Sequence, residues 1–147
     1  MQTGGYSEAA RRAVTVAHAE ALRLGRDCVS VDLIVLGIID ADPDGLATRA
    51  LRAEGIDLAA LRRQIAGPEG PRANATAAGA HVPFCAETKE AVSLAGPEGE
   101  RLRHDQIDTV HLLLALIIGA EARLTELLAP FGVHPRQMRL RLFKLLG

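Results

Sequence analysis

The sequence predicts an all-α fold of two four-helix repeats that pack against each other with pseudo-twofold symmetry. The first observation is a repetition: RDCVSVDLIVLGII at residues 26–39 returns as HDQIDTVHLLLALI at residues 104–117. The second is that apolar residues recur at the spacing of helix faces. The third is that Ser and Asp stand where helices would begin and Gly where they would end.

The repetition extends beyond these two segments. Ser30 matches Asp108 and Cys85 matches Ser7, both at an offset of 78 (108 − 30 and 85 − 7). A later pair of glycines, Gly55 and Gly132, is 77 residues apart, so one residue is lost between them. The chain therefore contains two copies of one unit.

We expect a single domain over residues 1–147, with repeat one at about 6–67 and repeat two at about 83–147. The stretch between them, at about 68–82, is predicted to be a linker. The sequence at residues 67–80 reads GPEGPRANATAAGA, which is rich in Gly, Pro and Ala and has no periodic apolar residues. That composition is typical of a flexible connection.

The first helix of repeat one is expected to begin after Ser7, a good N-cap, and to end at Gly25. Its apolar positions are Ala10, Ala13, Val14, Ala17, Ala21 and Leu24. Ser30 could cap a second helix, VDLIVLGIID, which is apolar almost all round and should be buried. Its β-branched residues also permit a strand. The Leu- and Ala-rich copy HLLLALII favours a helix, because two copies of one unit should fold alike.

Two shorter helices complete the repeat. Asp44 precedes GLATRALRAEG, which Gly55 ends, and Asp57 precedes LAALRRQIAG, which Gly67 ends. Each unit is thus four helices, and neither buries its apolar helix well alone.

Repeat two differs inside its first helix. It contains Gly96, Pro97 and Gly99. A proline inside a helix lowers the stability of the helix by ~3 kcal/mol, and each glycine lowers it by ~1 kcal/mol relative to alanine. We expect this helix to kink or break near Ala95.

Composition and charge narrow the function. The formal charge of −1 gives no general attraction to nucleic acid or to an anionic membrane. No apolar run approaches the ~20 residues that span a bilayer, and MQTGGYSEAA lacks the features of a signal peptide. We therefore expect a cytoplasmic protein with no cofactor and with Cys28 and Cys85 as reduced thiols.

The order of these elements resembles the amino-terminal domain of Clp-type (Hsp100) ATPase chaperones, closest to the ClpC branch. The resemblance covers residues 6–147 and rests on ALRLG, the capped apolar helix ending in LG, ALRAEGID with its closing helix, and VPF at the head of the second copy. The family typically has Gly-Thr-Glu-His before the apolar helix. Each copy keeps only part of it, as SVDL from Ser30 and as DTVH from Asp108.

The resemblance implies a non-enzymatic protein that recruits substrates and adaptors to a Clp ATPase and its protease. A phosphate-binding P-loop needs Gly-Lys followed by Ser or Thr. The two lysines of the chain, Lys89 and Lys144, follow Thr88 and Phe143 instead. We therefore expect a free-standing recruitment domain that acts as an adaptor or as a decoy.

The resemblance to the ClpC branch also implies that the protein binds phosphorylated arginine. The guanidinium needs a carboxylate, and the phosphate needs amides and a hydroxyl at a helix start. The matching positions hold Ser7 and Asp32 in repeat one, and Cys85 and Val110 in repeat two. We expect the first pocket to stay chemically competent and the second to be lost, because valine cannot pair with a guanidinium.

Relatives in this family have a groove between the two halves where cyclic peptide antibiotics bind. Arg11, Phe84 and Lys89 match positions at the border of that groove. Phe84 or Tyr6, if exposed, would suit a peptide as an anchor. The alternative that Phe84 staples the start of its helix into the core is equally open.

Simpler interpretations and rival functions stay open as well. Asp32 would also interact favourably with the dipole at the start of its helix, and Ser7 would also act as an ordinary N-cap. His104 and His111 have no dense ligand cluster beside them, so we expect solvated or hydrogen-bonded histidines and no metal. The rival functions are a DNA-associated regulator and a small helical enzyme with Cys85 as its nucleophile.

Overall fold

The structure is a computed structural model that describes residues 5–67 and 82–146. The helices in these ranges are α1 Glu8–Arg23, α2 Val31–Ala41, α3 Leu46–Ala53, α4 Leu58–Ala66, α5 Ala86–Val92, α6 Ala95–Arg101, α7 Thr109–Gly119, α8 Glu121–Leu128 and α9 Pro135–Leu146, with a 3-10 turn at Ala129–Phe131. The predicted all-α fold is confirmed. The linker predicted at 68–82 lies outside the described residues except for its last position, and the boundaries of the repeats stay predictions.

The two apolar helices form the centre of the core. α2 and α7 are each 11 residues long, and every residue of α7 from Thr109 to Ile117 is buried. α2 buries all its residues from Val31 to Ile39 except Asp32. A helix without a polar face must be covered on all sides, so the neighbouring helices surround this pair. Among the described residues, no helix is long and apolar enough to cross a membrane.

A stripe of alanines brings α1 close to α2. Ala10, Ala13, Ala17 and Ala21 follow one another at three- or four-residue steps and are completely buried. On α2, a Cβ atom added to Gly37 would lie 2.1 Å from the carbonyl oxygen of Ala13. The two backbones therefore touch at a position where only glycine fits.

A backbone bridge joins the start of α1 to the segment before α7. The Ser7 N–H donates to the carbonyl oxygen of Ile107 at 2.8 Å, and the Ile107 N–H donates to that of Gly5 at 3.0 Å. The head of repeat one is thus held by repeat two.

A second bridge repeats this geometry with the roles exchanged. The Cys85 N–H donates to the carbonyl oxygen of Val29 at 3.0 Å, and the Val29 N–H donates to that of Pro83 at 2.8 Å. Each partner is shifted by 78 residues from its counterpart (85 − 7, 107 − 29 and 83 − 5). The two bridges are therefore equivalent under the pseudo-twofold relation that the sequence predicts.

Most local signals for helix ends are confirmed. Ser7 caps α1 and Asp57 caps α4 through hydrogen bonds from amides of the first turn. Ser30 precedes α2 but makes no capping hydrogen bond, and Gly45 stands at the start of α3 in place of Asp44. Ser30 occupies the predicted N-cap position, but its hydroxyl has other partners, which are described with the site below.

The predicted break in repeat two is confirmed. α5 ends at Val92 and α6 begins at Ala95. Pro97 is the third residue of α6, where first-turn amides have no partner within the helix. The break thus places the proline where its missing N–H costs no helical hydrogen bond.

The expectation of two reduced thiols is wrong. Cys28 and Cys85 form a disulfide with a Cα–Cα distance of 4.9 Å, and the described residues contain no free cysteine. The physical reason is the bridge between Val29 and Cys85, which brings Cys28, the residue next to Val29, beside Cys85. The disulfide therefore joins repeat one to repeat two beside a contact that the backbone already makes.

We predict opposite effects for alanine at two helical glycines. Gly37→Ala should destabilise the protein by about 3 kcal/mol, at the upper end of overpacking costs, because its Cβ would overlap the backbone of α1. Gly99→Ala should stabilise it by about 0.5–1 kcal/mol, because the nearest atom lies at 3.9 Å and alanine favours a helix. Urea unfolding measures both, and equal effects would contradict the close approach of α1 and α2.

Candidate functional site

Two clefts open at equivalent places in the two repeats. The first cleft, of about 330 Å³, is lined by Arg26, Ser30, Val31, Asp32, Cys85, Glu87, Thr88, Arg123, Glu126 and Leu127. The second cleft, of about 320 Å³, is lined by Leu46, His104, Gln106, Asp108, Val110, His111, Leu145 and Leu146. Three pairs of lining residues differ in number by 78: Arg26 and His104, Ser30 and Asp108, and Asp32 and Val110. The clefts therefore correspond in part, whereas Glu87 and Thr88 of the first cleft have no counterpart that lines the second.

Asp32 lies in the first cleft with a guanidinium of its own chain nearby. The Ser30 hydroxyl donates a hydrogen bond to Asp32 Oδ1, and Arg26 Nη1 lies 4.0 Å from the same oxygen. Arg26 Nη1 also donates to the Ser30 hydroxyl oxygen at 3.1 Å. Ser30 therefore orients Asp32 and Arg26 and does not cap α2.

Arg123 forms the opposite wall of the first cleft. Its Nε donates to Glu87 Oε1 at 2.9 Å, and its Nη1 lies 3.9 Å from Glu126 Oε1. The hydrogen bond to Glu87 raises the pKa of Arg123, with smaller contributions from the charges of Glu87, Glu126 and Asp32. The cleft thus combines carboxylates and guanidiniums at short range.

Thr88, which lines the same cleft, has a buried hydroxyl without a described partner. Its side chain is completely buried, and its Oγ1 makes no hydrogen bond with any described residue. Buried hydroxyls nearly always have a partner. The residue equivalent to Thr88 in repeat one is Ala10 (88 − 10 = 78), which has no polar side-chain atom.

The structure separates the two residues expected to share a pocket. The Ser7 Oγ accepts from the Ala10 N–H and donates to Asp108 Oδ1 at 2.9 Å, so Ser7 lies at the start of α7. It does not line the first cleft, where Asp32 faces the start of α5. The pairing of Ser7 with Asp32 is therefore wrong, because the exchanged bridges place the head of each repeat beside the acid position of the other.

Cys85, the residue before α5, corresponds to Ser7, and it does line the first cleft. Its sulfur is bonded to Cys28. A nucleophilic cysteine acts as a thiolate. The rival enzyme hypothesis would therefore first require reduction of this bond.

The predicted groove residues lie outside both clefts. They form equivalent pairs, since Tyr6 and Phe84 as well as Arg11 and Lys89 are 78 residues apart. Phe84 is partly buried and stacks on His18 with ring centroids 5.4 Å apart, while burial raises the pKa of Tyr6. Arg11 and Lys89 are exposed. A peptide groove at these residues stays a prediction.

A histidine pair occupies the second cleft. His104 Nδ1 and His111 Nε2 are 2.7 Å apart, and the Asp108 N–H donates to His111 Nδ1 at 2.8 Å. Since His111 Nδ1 accepts, the proton of the neutral ring is on Nε2 and is donated to His104. The histidines are hydrogen-bonded, which was one of the two expectations. No group of three metal-ligand side chains occurs among the described residues.

Burial is the first cause that lowers the pKa of His111, and the charge of His104 is the second. The side chain of His111 is only 2% exposed. Asp108 and Glu98 act in the opposite direction and raise the pKa. The net effect favours a neutral ring in the folded state.

Sequence reasoning missed most residues of the first cleft, among them Arg26, Thr88 and Arg123. Arg26 begins the repeated segment and had a visible counterpart in His104. The ion pair of Arg123 with Glu87 spans 36 residues and has no local pattern. Thr88 follows Cys85 by three residues, so only the position of α5 against α2 could identify it.

We predict that the protein loses stability as the pH falls below about 6.5, the value of histidine in an unfolded chain. Because the folded-state pKa of His111 is lowered, the unfolded chain binds the proton more readily, and stability is complete only above that pH. The loss is at most about 1.4 kcal/mol per pH unit for one proton. Urea unfolding at pH 7.5 and pH 5 measures it.

His111→Gln is the matched variant for this prediction. Glutamine at this position keeps the capping box of α7 but does not titrate. The variant should lose less stability between the two pH values than the parent does. His134→Gln, at an exposed position, should retain the parent's pH dependence. An unchanged slope in His111→Gln would contradict the assignment.

Comparison with known sequences gives relatives over the whole chain but no matching family model. The chain is 32% identical over 142 residues to the "ATP-dependent Clp protease ATP-binding subunit ClpA homolog" of Cyanidium caldarium, covering 97% of this chain and 16% of that protein. It is 30% identical over 142 residues to "Chaperone protein ClpC2, chloroplastic" of Oryza sativa subsp. japonica, covering 97% and 15%. The chain thus spans less than a fifth of these relatives.

Two solved structures with the same fold are amino-terminal domains. The ClpD N-terminal domain of Arabidopsis thaliana superposes with a TM-score of 0.73 at 21% identity, covering 96% of this chain and 94% of that one. The Hsp104 N-terminal domain of Candida albicans gives a TM-score of 0.76 at 10% identity, covering 97% and 92%. The chain is therefore a homologue of the Clp chaperone ATPases and has the fold of the Clp and Hsp104 N-terminal domains.

Proposed function

We propose that the chain is a protein- or peptide-binding domain in Clp-dependent proteolysis and that the first cleft is its binding site. The relatives are named as Clp chaperones and Clp protease subunits. The observation that carries the proposal is a cleft of opposed charges, with the unpartnered hydroxyl of Thr88 buried in its wall. A buried hydroxyl without a partner costs ~1–3 kcal/mol, and a polar ligand that reaches it would offset that cost.

The ligand that we infer is a phosphorylated arginine side chain of a client protein. Asp32 supplies the carboxylate for its guanidinium. Arg26 and Arg123 supply positive charge for the phosphate, and Thr88 supplies the hydroxyl that the sequence had assigned to Ser7. The mixed charges of the cleft therefore match a side chain that has a cationic and an anionic part.

Arg26 is the group with which such a ligand competes at Asp32. Its Nη1 lies 4.0 Å from Asp32 Oδ1, and the two side chains are 37% and 30% exposed. An ion pair this long and this exposed contributes little free energy. A ligand guanidinium can take its place, while Arg26 turns towards the phosphate.

The second cleft does not offer the same chemistry. Val110 stands where the first cleft has Asp32, and Leu46 stands near the place of Arg123. Neither side chain can hold a charged group. We therefore expect one phosphoarginine site for each chain.

Isothermal titration calorimetry with phosphoarginine tests this site. The parent should bind with a stoichiometry of one, and Asp32→Ala should weaken binding at least tenfold, since it removes the partner of the guanidinium. Val110→Ala changes the equivalent position of the second cleft and should have no effect. A parent that gives no more heat than Asp32→Ala would remove the phosphoarginine site.

Thr88→Val separates the ligand contact from a structural role. Valine fills the same space without a hydroxyl, so the variant should be as stable as the parent or more stable. It should also bind phosphoarginine more weakly. Lower stability with unchanged binding would show that the hydroxyl has a structural partner and no ligand.

A reconstituted degradation assay with a Clp ATPase and its protease distinguishes the two roles of the domain. An adaptor should raise the rate at which an arginine-phosphorylated client is degraded, and a decoy should lower it. Asp32→Ala should abolish either effect. An unchanged rate on addition of the parent domain would contradict both roles.

A cytoplasmic location stays a prediction, and the net charge of −1 continues to disfavour the DNA-associated alternative.

A further inference from the structure

The disulfide between the two repeats borders the first cleft. Cys28 and Cys85 are bonded to each other, and Cys85 lines the cleft together with Asp32 and Thr88. Both cysteines are partly exposed, so a small reductant has access to the bond. Cys28 lies in the segment before α2, which contains Asp32, and Cys85 directly precedes α5, which contains Thr88. The bond therefore ties together the elements that supply the acid and the hydroxyl of this cleft.

The equivalent bridge of the pseudo-twofold pair is made without a covalent bond. Ser7 and Gln106 are the residues that correspond to Cys85 and Cys28 (85 − 78 and 28 + 78). There the Ser7 side chain caps α1 and donates to Asp108, whereas Cys85 makes no capping hydrogen bond to α5. The backbone hydrogen bonds are the same in both bridges. The disulfide is thus an addition to this contact and not a requirement of the fold.

α5 is a short helix that is fixed at its far end. It has seven residues, compared with 16 in α1. A Cβ atom added to Gly119 of α7 would lie 2.8 Å from the Cα of Ala91, so the carboxyl end of α5 lies directly against α7. At the amino end, loss of the disulfide leaves noncovalent contacts, which include the backbone bridge and the stacking of Phe84 on His18. Reduction therefore gives the first turn of α5 more freedom to move relative to α2.

The Thr88 hydroxyl is closed off while the disulfide is intact. Its Oγ1 is completely buried and makes no hydrogen bond with a described residue. Thr88 follows Cys85 by three residues, which is one turn of α5. A ligand in the cleft can contact this atom only if that turn shifts, and the disulfide holds the residue at which the turn begins. The bond thus controls access to the hydroxyl.

We propose that the Cys28–Cys85 disulfide is a redox switch of the first cleft. The oxidised protein keeps the Thr88 hydroxyl closed, and reduction lets a ligand in the cleft form a hydrogen bond with it. This inference rests on the binding role proposed for the first cleft and adds its regulation. The second cleft, whose bridge has Ser7 and Gln106 at the equivalent positions, has no such control.

The reductant in this switch is a dithiol. One of its thiolates attacks the disulfide, so that a mixed disulfide forms and one cysteine leaves as a thiolate. The second thiol of the reductant then attacks the mixed disulfide and releases the other cysteine. The S–S bond of the protein is broken and two cysteine thiols form. Their two electrons and two protons come from the dithiol, which is oxidised to a disulfide.

Calorimetry with phosphoarginine on the oxidised parent and on the parent reduced by excess dithiothreitol tests the switch. Reduction should strengthen binding by about tenfold, as expected for one added hydrogen bond to a charged group. Thr88→Val should bind equally in the two states, because it has no hydroxyl to expose. Equal or weaker binding by the reduced parent would overturn the switch.

Cys28→Ser removes the disulfide without changing a residue that lines the first cleft. The variant should bind phosphoarginine as tightly as the reduced parent does, both with and without dithiothreitol. It therefore also controls for direct effects of the reductant. An affinity equal to that of the oxidised parent would contradict the role of the disulfide.

Hydrogen exchange of the protein without ligand separates the switch from the identity of the ligand. Reduction should raise the rate of amide exchange in α5, while α1, whose bridge has no disulfide, stays protected. If exchange in α5 rises but neither state binds phosphoarginine, the proposed ligand is wrong and the switch is supported. Unchanged exchange in α5 would overturn the switch. Faster exchange in every helix would show that the bond holds the whole fold, and would overturn a switch confined to this cleft.

Discussion

The exchange of backbone hydrogen bonds between the repeats is the constraint on which the rest of the structure depends. Ser7 bonds to the segment before α7, and Cys85 bonds to the segment before α2. Each repeat thus holds, through backbone hydrogen bonds, the segment that leads into the other repeat's buried helix. Since neither apolar helix has a polar face, a separated repeat would leave one of them uncovered. The bridges fix how the halves meet, whereas the close contact between Gly37 of α2 and Ala13 of α1 lies within repeat one.

The sequence was sufficient to predict the features that local interactions determine, such as the ends of helices. Gly25, Gly55 and Gly67 end helices or turns with positive φ angles, and the break before α6 follows from its glycines and proline. It was insufficient for contacts between repeats. Cys28 and Cys85 are 57 residues apart, and neither composition nor periodicity shows that a bridge brings them together. The wrong pairing of Ser7 with Asp32 has the same origin, because residues of one sequence repeat need not share one pocket in space.

The two copies diverge where packing allows it. Residues within α2 and α7 have little freedom, since almost all are buried and a polar substitution there would need a partner. Arg26, Asp32 and His104 are partly exposed, and such positions can change sign or polarity at low cost. Arg26 corresponds to His104 and Asp32 to Val110, whereas Leu36 corresponds to Leu114. A shared core with unlike openings is how one duplicated fold comes to offer two chemistries.

The buried position of Thr88 also differs between the two repeats, because only repeat two has a hydroxyl there. At the equivalent buried position, repeat one has Ala10, which shows that the fold tolerates a residue without a polar side-chain atom. Repeat two has a hydroxyl there with no described partner, and such a group destabilises a folded protein. Thr88 lines the cleft that also holds Asp32, although its hydroxyl is itself buried, whereas the second cleft lacks that acid. An unsatisfied polar group in a core is expected chiefly at functional sites. A ligand that reached this hydroxyl from the first cleft, as proposed above, would offset the stability lost at Thr88.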